Sequence, residues 1–380
     1  MDSNGPTRQS IGARVRMARQ QAALRQEDIA RHLGIPRPSV SEIENGRREL
    51  TSVELTRLAA LVGKPLAWFV AGDKAFDAKA WDPAGFRLRG GALSDADRNA
   101  LLAFATRCHD YVELERLLDL PRPEGRPRYG GLTGLHMQQG RMVALQERRR
   151  LGLGRNPVGD IVGLLELRGV KVLDWPMPPG SEIDGALFVS EETGPCVLVN
   201  EGEVWARRHF TVAHEYAHLL LDVDGERAEV CYRGSRDLAE VRANAFAAEF
   251  LSPAEGVTEF LGSLGVPGQR RIGPGDALEL QRYFQLSYQA TLWRLLNLGL
   301  IGEQERAEWS TFQPSALARM LGREPNDFQP SGPTTGRFRE LAFRAWQAGR
   351  ITRRRLAELL GVSKDELARV PPQFLPSPTA

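Results

Sequence analysis

The residues with the clearest chemical potential are His214, Glu215 and His218, which lie in the segment RRHFTVAHEYAHLLLD. Residues four apart on a helix share one face, so both imidazoles can bind a single metal ion. Imidazole nitrogens at this spacing are typical of zinc sites, where water at the open position ionises near neutral pH. Glu215 lies beside the first ligand, where it can accept a proton from that water. The spacing predicts a hydrolytic zinc site.

A catalytic zinc site needs a third protein ligand. His209 precedes His214 by five residues, which places it off the ligand face of a helix. The segment EVRANAFAAEFLSP predicts a second helix over 240–253 and offers two carboxylates, Glu240 and Glu249. They are separated by ~2.5 helical turns and so point in nearly opposite directions. One straight helix can therefore supply only one of them to the metal.

A second informative segment, QEDIARHLGIPRPSVSEIENG, begins at Gln26. Gly34 lies where a turn between two helices needs a left-handed residue, and Pro36 fits the first turn of the next helix. Helical patterns before and after this pair, the later one capped by Thr51 or Ser52, extend it to a five-helix bundle. The residues expected to face its core are Ile29, Ala30, Leu33, Val40 and Ile43.

Composition limits the class of protein. The chain has 380 residues, of which 42% are hydrophobic and 26% are charged with mixed sign, which excludes wholesale disorder. It contains neither an apolar run long enough to span a membrane nor the apolar core of a signal peptide. Three dispersed cysteines favour a reducing compartment. We therefore expect a multidomain cytoplasmic protein without a membrane partner.

The pattern along the chain predicts an α+β, mostly helical fold in four parts. The parts are an N-terminal helical bundle (1–72), a helical linker (73–130), a region of alternating helices and strands (131–300) and a C-terminal helical region with a frayed Pro-rich tail (301–380).

The N-terminal segment resembles the XRE family of helix-turn-helix regulators, the family of Cro and the phage repressors. The resemblance implies a homodimer on double-stranded operator DNA, with the second motif helix in the major groove. It places Arg37, Pro38 and Glu42 against base edges, although Pro38 departs from the Gln or Arg that is common in the family. The residues implied to contact or lie near the phosphates are Gln26, Ser39, Ser41, Asn45, Arg47 and Arg48.

Charge agrees with this interpretation, because residues 1–70 contain 11 Lys and Arg against 7 Asp and Glu. The alternative for this bundle is dimerisation or partner binding without DNA.

FTVAHEYAHLLL, followed by ExxANxFAxxFLxP, resembles the ImmA/IrrE family of zinc metallopeptidases, and the resemblance extends over about 140–300. It implies that Glu240 is the third zinc ligand beside His214 and His218, with Glu215 as general base. It also implies strands at about 170–175, 185–190 and 196–200, which form a small sheet in front of the helix that carries HExxH (214–218). An extended peptide is expected to add to an edge of that sheet. The combination of an XRE-type DNA-binding domain with such a peptidase domain implies a DNA-binding regulator. It is expected to cleave a specific regulatory protein, typically a repressor, in a stress or phage-related response.

The alternative function is that of a transcription factor or antitoxin whose peptidase-like domain senses a ligand or binds a toxin without cutting it. Glu215 favours proteolysis, since a domain used only for binding has no need of a general base. Candidate contacts for the oxyanion or the substrate are Tyr216, Tyr288 and Arg207.

Three smaller features have simple structural interpretations. The basic run 148–150 predicts a solvated helix end. The segment 351–370 predicts a solvated helical hairpin, with contact to DNA or a partner as the alternative. Tyr288 is expected in the core rather than facing the substrate.

Overall fold

Four short helices begin the chain in the computed structural model. They are α1 (Arg8–Gln21), α2 (Gln26–Leu33), α3 (Arg37–Glu44) and α4 (Ser52–Leu61). The fifth helix predicted for 1–72 would come after Val62. Of residues 63–72 the structure describes Phe69 alone, so this prediction lies outside the described residues. The structure describes residues 7–21, 24–62, 69, 86–89, 93–121, 127–223, 227–232, 237–266, 270–322, 336–363 and 366–367.

The sequence signals for these helices act as predicted. Gly34 ends α2 with φ +73°, a conformation that costs glycine little, and Pro36 precedes α3. Thr51 caps α4: its hydroxyl accepts from the Glu54 backbone N–H at 3.2 Å, while the Glu54 carboxylate accepts from the Thr51 N–H at 2.8 Å. The five residues predicted to face the core are all buried.

The chain divides into two compact units, one of Met1–Gly85 with Leu93–Arg107 and one of Phe86–Ala92 with Cys108–Ala380. The remaining described helices are α5 (Asp95–Leu117), α6 (His136–Arg150), α7 (Ile161–Glu166), α8 (Trp205–Leu221), α9 (Leu238–Leu251), α10 (Ala254–Ser263), α11 (Pro274–Phe284), α12 (Tyr288–Asn297), α13 (Glu303–Trp309), α14 (Pro314–Met320), α15 (Gly336–Gln347) and α16 (Arg353–Leu360). The fold is α+β and mostly helical, as predicted.

The second unit contains a mixed sheet. Its strands are β1 (Phe86–Arg89), β2 (Lys171–Trp175), β3 (Ile183–Ser190), β4 (Gly194–Asn200) and β5 (Arg227–Tyr232). Their spatial order is β1-β5-β3-β4-β2, with β3 antiparallel to both of its neighbours. The sequence predicted β2, β3 and β4. It did not predict β5, nor β1 inside the segment expected to be a helical linker, because charged residues interrupt both strands and each is defined by its pairing with another strand.

The strand beside the HExxH helix is not an edge strand. β3 contacts α8 and is paired on both sides, with β4 and β5, so in the described part of the chain the sheet edges are β1 and β2. The expectation that a peptide adds to a sheet edge beside the site is therefore wrong for β3, since its backbone hydrogen bonds are already used by its neighbours.

The basic run on α6 is not wholly solvated, contrary to the prediction. Arg148 is 2% exposed, and its guanidinium donates to the backbone carbonyls of Gly154 and Asn156 at 2.9 and 2.5 Å and to that of Phe250. Arg150 holds the buried carboxylate of Glu147 at 2.5 Å. A planar guanidinium with five donors satisfies several carbonyls at once, which explains its presence inside the fold.

The C-terminal helices α15 and α16 also make contacts that the sequence did not reveal. Arg355 on α16 donates to Asp110 at 2.5 Å, and Arg337 on α15 donates to Glu115 at 2.8 Å. Phe338 packs against Tyr111 with ring centroids 5.5 Å apart. These pairs tie α15 and α16 to the C-terminal half of α5.

Candidate metal centre and helix-turn-helix unit

The HExxH segment forms the middle of α8, a deeply buried helix of the second unit. Every residue from Thr211 to Leu220 is buried, so apolar side chains surround the helix on both flanks of its histidine face. His214 and His218 lie one turn apart on that face, with side chains 10% and 0% exposed. A helix anchored in this way holds two imidazoles in fixed positions.

Three ligand side chains converge on one point between α8 and α9. The Nε2 atoms of His214 and His218 are 3.0 Å apart, and the two carboxylate oxygens of Glu240 lie 3.0 and 3.1 Å from them. Among the described residues, these three form the one cluster of His, Cys, Asp or Glu side chains that is arranged to hold a metal ion. Two nitrogens and a carboxylate are the donor set of a catalytic zinc site.

The outward-facing nitrogen of each imidazole has its own partner. His218 Nδ1 lies 2.7 Å from the Asp222 carboxylate, and His214 Nδ1 lies 3.1 Å from Asn244 Oδ1. Because each Nδ1–H donates outward, the lone pair of each Nε2 points inward, towards the other imidazole and the Glu240 carboxylate. In the neutral rings these lone pairs repel one another unless a cation lies between them. A proton on Nε2, which then donates to Glu240, or a metal ion held by all three groups meets this requirement.

Electrostatics lead to the same conclusion. Burial opposes a charge on His218, but its hydrogen bonds to Asp222 and Glu240 outweigh burial and raise its pKa to about 10. Burial also opposes ionisation of Glu240, yet hydrogen bonds from His214 and His218 hold the pKa of this carboxyl well below its usual range. The centre is therefore built to stabilise positive charge beside an ionised carboxylate.

The choice between the two carboxylates of α9 follows from their partners. Glu249 points away from the histidines: it accepts from Arg294 Nη2 at 2.7 Å and from the Ala254 backbone N–H at 2.8 Å. Glu240 faces α8. Small residues permit the close packing around α9, since a Cβ on Gly140 of α6 would overlap the Arg242 carbonyl oxygen.

A cleft of about 680 Å³ opens beside the cluster, with His214 and Glu240 in its wall. Glu215 forms part of its wall, next to His214. The other lining residues are Asp184, Val204, Ala206, Arg207, Phe210, Thr211, Asn244, Ala248, Leu286, Ser287, Gln289, Ala290, Trp293, Arg294 and Asn297. Most of these side chains are uncharged; the charged ones are Asp184, Arg207, Glu215, Glu240 and Arg294.

Of the three candidate oxyanion or substrate contacts, only Arg207 lines the cleft. Its guanidinium donates to Asp184 at 2.9 Å and lies 3.5 Å from Glu203. Tyr216 is buried on the opposite side of α8, where its hydroxyl donates to Glu147. Tyr288 is 3% exposed and lies outside the lining, as expected for a core residue. Both tyrosines are therefore corrections to the predicted set.

Sequence reasoning missed several residues around the centre. Asp222 carried a usable signal, because it follows His218 by four residues and so lies on the same helical face. Asp184 and Trp293 carried none, since they come from β3 and α12, which reach the cleft only through the tertiary fold.

In the N-terminal unit, the residues predicted to meet DNA fall into two groups by exposure. Arg37, Pro38, Glu42, Asn45 and Arg47 are exposed, whereas Gln26, Ser39, Ser41 and Arg48 are half-buried. The half-buried group offers less of its surface to a partner from outside the unit.

Two of the half-buried side chains are held by acidic partners. The Gln26 amide donates to Glu44 Oε2 at 2.9 Å, and Arg48 donates to Glu54 at 2.7 Å. Glu44 is 4% exposed and also binds Arg19 at 2.6 Å, which links α1, α2 and α3. The buried carboxylate thus fixes the angle between the motif helices.

Comparisons with known proteins identify a separate domain family in each of two segments of the chain. Residues 10–67 match the model of a helix-turn-helix domain family, and residues 167–296 match that of the IrrE N-terminal-like domain, a peptidase family. The chain therefore is a regulator with a helix-turn-helix DNA-binding domain and a peptidase-like domain. These two domains belong to the helix-turn-helix and IrrE N-terminal-like families, as the sequence predicted.

Among solved structures, ComR from Streptococcus suis is similar to the chain at 12% sequence identity, covering 93% of this chain and 87% of that one with a TM-score of 0.16. No curated protein matches the chain. Within the described residues, no helix combines the length and the apolarity that crossing a bilayer requires.

Proposed function

We propose that the protein is a DNA-binding transcriptional regulator whose peptidase-like domain is a zinc-dependent endopeptidase. In this proposal residues 1–72 bind operator DNA as a homodimer, and residues 131–300 cleave a specific regulatory protein. The observation that carries the catalytic part is the convergence of His214 Nε2, His218 Nε2 and the Glu240 carboxylate within 3.0–3.1 Å of one another.

The donor set supports zinc as the resident metal. Two imidazoles and one carboxylate would be three protein ligands, the number that catalytic zinc sites use while leaving one position to water. Asn244 and Asp222 orient the two imidazoles from behind, which is the second layer of contacts that such sites need. When bound, zinc supplies Lewis acidity for the attacked peptide carbonyl and for water.

Glu215 is the proton carrier of the proposed reaction. Glu215 follows His214 on α8 and is a buried residue of the cleft wall. From there its carboxylate can take a proton from the attacking water and later deliver it to the leaving amine. Arg207 lies in the same cleft on the Asp184 side, where its guanidinium can hold a substrate carbonyl oxygen. The chain thus offers a base and a fixed cation around the ligand cluster.

The cleft also supports a polypeptide substrate. Its volume of about 680 Å³ accommodates several residues of an extended chain, and its walls carry Phe210, Leu286 and Trp293 for apolar side chains. A repressor-like protein is the proposed substrate, cleaved in a stress or phage-defence response. In the alternative proposal, a toxin or a small ligand binds in the same cleft and Glu215 has no catalytic role.

A comparison of the wild type with Glu215→Gln tests the proposal. Both proteins should hold about one zinc ion per chain and bind DNA equally, because Gln keeps the size of the side chain and removes its basicity. In the native host, a protein truncated in the presence of the wild type should remain intact with Glu215→Gln. Quantitative proteomics of new N termini identifies such a substrate.

Three outcomes have distinct meanings. Loss of one specific cleavage in Glu215→Gln supports the endopeptidase. Identical cleavage by both proteins removes Glu215 from the mechanism. Full regulation of target genes by Glu215→Gln, with no cleavage in either strain, supports the binding-only alternative.

A further inference from the structure

The strand that faces the HExxH helix contains a β-bulge. Against β5, Ile183 pairs with Tyr232 and Gly185 pairs with Cys231, so Asp184 is an extra residue on β3. A bulge re-aims the side chains on either side of it. Here the Asp184 side chain lines the cleft, and Gly185 comes to lie against α8.

Gly185 is packed directly against the proposed general base. A Cβ built on Gly185 would lie 2.7 Å from Glu215 Oε1 and 2.5 Å from Thr211 Cγ2. Both distances are below any that a real Cβ adopts, so a side chain at this position must displace both groups. The Glu215 carboxylate therefore occupies the space that a side chain at 185 would fill.

The backbone does not explain the glycine. Gly185 is not among the described glycines with positive φ, so its conformation is open to any residue. Glycine inside a strand is unfavourable relative to alanine, because it loses more chain entropy and packs no side chain. The advantage of glycine at this position is the missing Cβ.

The strand cannot simply move away from an added methyl group. β3 is hydrogen-bonded on both sides, to β4 and to β5, and Asn200 donates to the Ile183 carbonyl at 3.0 Å. On the other side, α8 is buried along its length from Thr211 to Leu220. The terminal carboxylate of Glu215 is the most easily displaced group, since its side-chain torsions rotate without moving either element.

We propose that Gly185 is a positioning residue for Glu215: the absence of a side chain on β3 fixes the place of the carboxylate beside the metal ligands. This inference rests on the proposed function, in which Glu215 is the general base. Gly185 itself touches neither substrate nor metal. Its effect on catalysis passes through Glu215.

Acetohydroxamate is a suitable probe, because it chelates zinc and donates a hydrogen bond to a neighbouring carboxylate. The zinc-loaded full chain should be compared with Gly185→Ala, Glu215→Ala and the double variant, using calorimetry for the probe and elemental analysis for zinc. Gly159→Ala is the matched control, since a Cβ on Gly159 meets nothing within 4 Å.

Gly185→Ala should keep zinc as the wild type does and bind acetohydroxamate about tenfold or more weakly, the loss expected for one charge-assisted hydrogen bond. Gly159→Ala should bind as the wild type. In the Glu215→Ala background, Gly185→Ala should change affinity less than about twofold, because the group it displaces is already gone.

Wild-type affinity in Gly185→Ala would overturn the inference. An equal loss in both backgrounds would also overturn it, as would recovery of affinity on adding Thr211→Ser, because crowding of α8 rather than of Glu215 would then be the cause. Absence of zinc from the wild type would instead reject the proposed function. Kinetic data sharpen the result: Gly185→Ala should lower kcat and leave KM nearly unchanged.

Discussion

Arg37 in the N-terminal unit and Glu240 in the second unit present charge in opposite ways. The Arg37 side chain is 64% exposed and lies 3.7 Å from an equally exposed Glu27. The Glu240 side chain is 4% exposed and lies within 3.1 Å of two imidazoles. The Arg37 side chain is accessible to a binding partner, whereas the Glu240 side chain contacts only groups inside the fold.

This difference in burial determines how large the effect of a substitution should be. Removing an exposed side chain removes its own contacts, and water replaces them at little cost. Removing a member of the buried centre leaves the remaining groups with charges or lone pairs that nothing balances. Substitutions at the candidate metal centre should therefore have larger effects than those on the helix-turn-helix surface.

The largest effect is expected for Glu240→Ala. Loss of one of three protein ligands should reduce zinc from about one ion per chain to a small fraction of that after dialysis against a weak chelator. Elemental analysis of the purified protein measures it. Glu249→Gln is the matched control on the same helix, because Glu249 binds Arg294 instead of the histidines. Stoichiometric zinc in Glu240→Ala would mean that another side chain completes the site.

A second buried carboxyl, Glu166, extends the comparison, because its hydrogen bond does not fully offset the cost of burying its negative charge. Burial raises its pKa to about 7, against the opposing hydrogen bond from Tyr111 at 3.1 Å. A folded-state pKa above the unfolded value of 4.5 means that the folded protein holds this proton more tightly. The resulting stability is complete below pH 4.5 and is lost as the pH rises through 7.

Glu166→Gln mimics the protonated acid at every pH. Relative to the wild type, it should therefore raise the free energy of unfolding by about 3 kcal/mol at pH 8 and by little at pH 4.5, since each pKa unit corresponds to about 1.4 kcal/mol. Urea unfolding at the two pH values measures the difference. The same difference at both would show that Glu166 ionises normally in the folded protein.

A smaller effect is expected for Asn244→Ala. Asn244 does not reach the metal position but accepts from His214 Nδ1 at 3.1 Å and so fixes the orientation of that ring. Its loss should weaken zinc binding about 10- to 100-fold while one site per chain persists at saturating metal. Competition with a chromogenic chelator gives the affinity. Asn297→Ala, which alters the cleft lining away from the ligands, should leave that affinity unchanged.

The smallest effect is expected for Arg37→Ala. Loss of one exposed contact to DNA should weaken binding to the operator selected by the wild type about tenfold, with zinc content unchanged. Fluorescence anisotropy at fixed salt measures it. Arg31→Ala, on an equally exposed position of α2, removes the same charge from a residue outside the predicted surface. Equal losses in the two variants would indicate a general charge effect rather than a reading contact.

The helix-turn-helix unit and the two metal-binding histidines were accessible to sequence reasoning because their geometry is local. Gly34, Thr51 and the apolar residues at helical spacing each act through neighbours a few positions away. His214 and His218 share a face for the same reason. The strands β2, β3 and β4 were expected from the resemblance to the ImmA/IrrE family.

Tertiary structure alone decided the rest, because those features depend on residues that are distant in the chain. The hydroxyl of Tyr216 donates to Glu147, a residue 69 positions earlier that only the fold brings against α8. Arg148 has the sequence context of a solvated charge, but the fold surrounds it with the carbonyls of Gly154, Asn156 and Phe250. Gly185 is one of 38 glycines in the sequence, and only the packing of β3 on α8 reveals what its missing side chain makes possible.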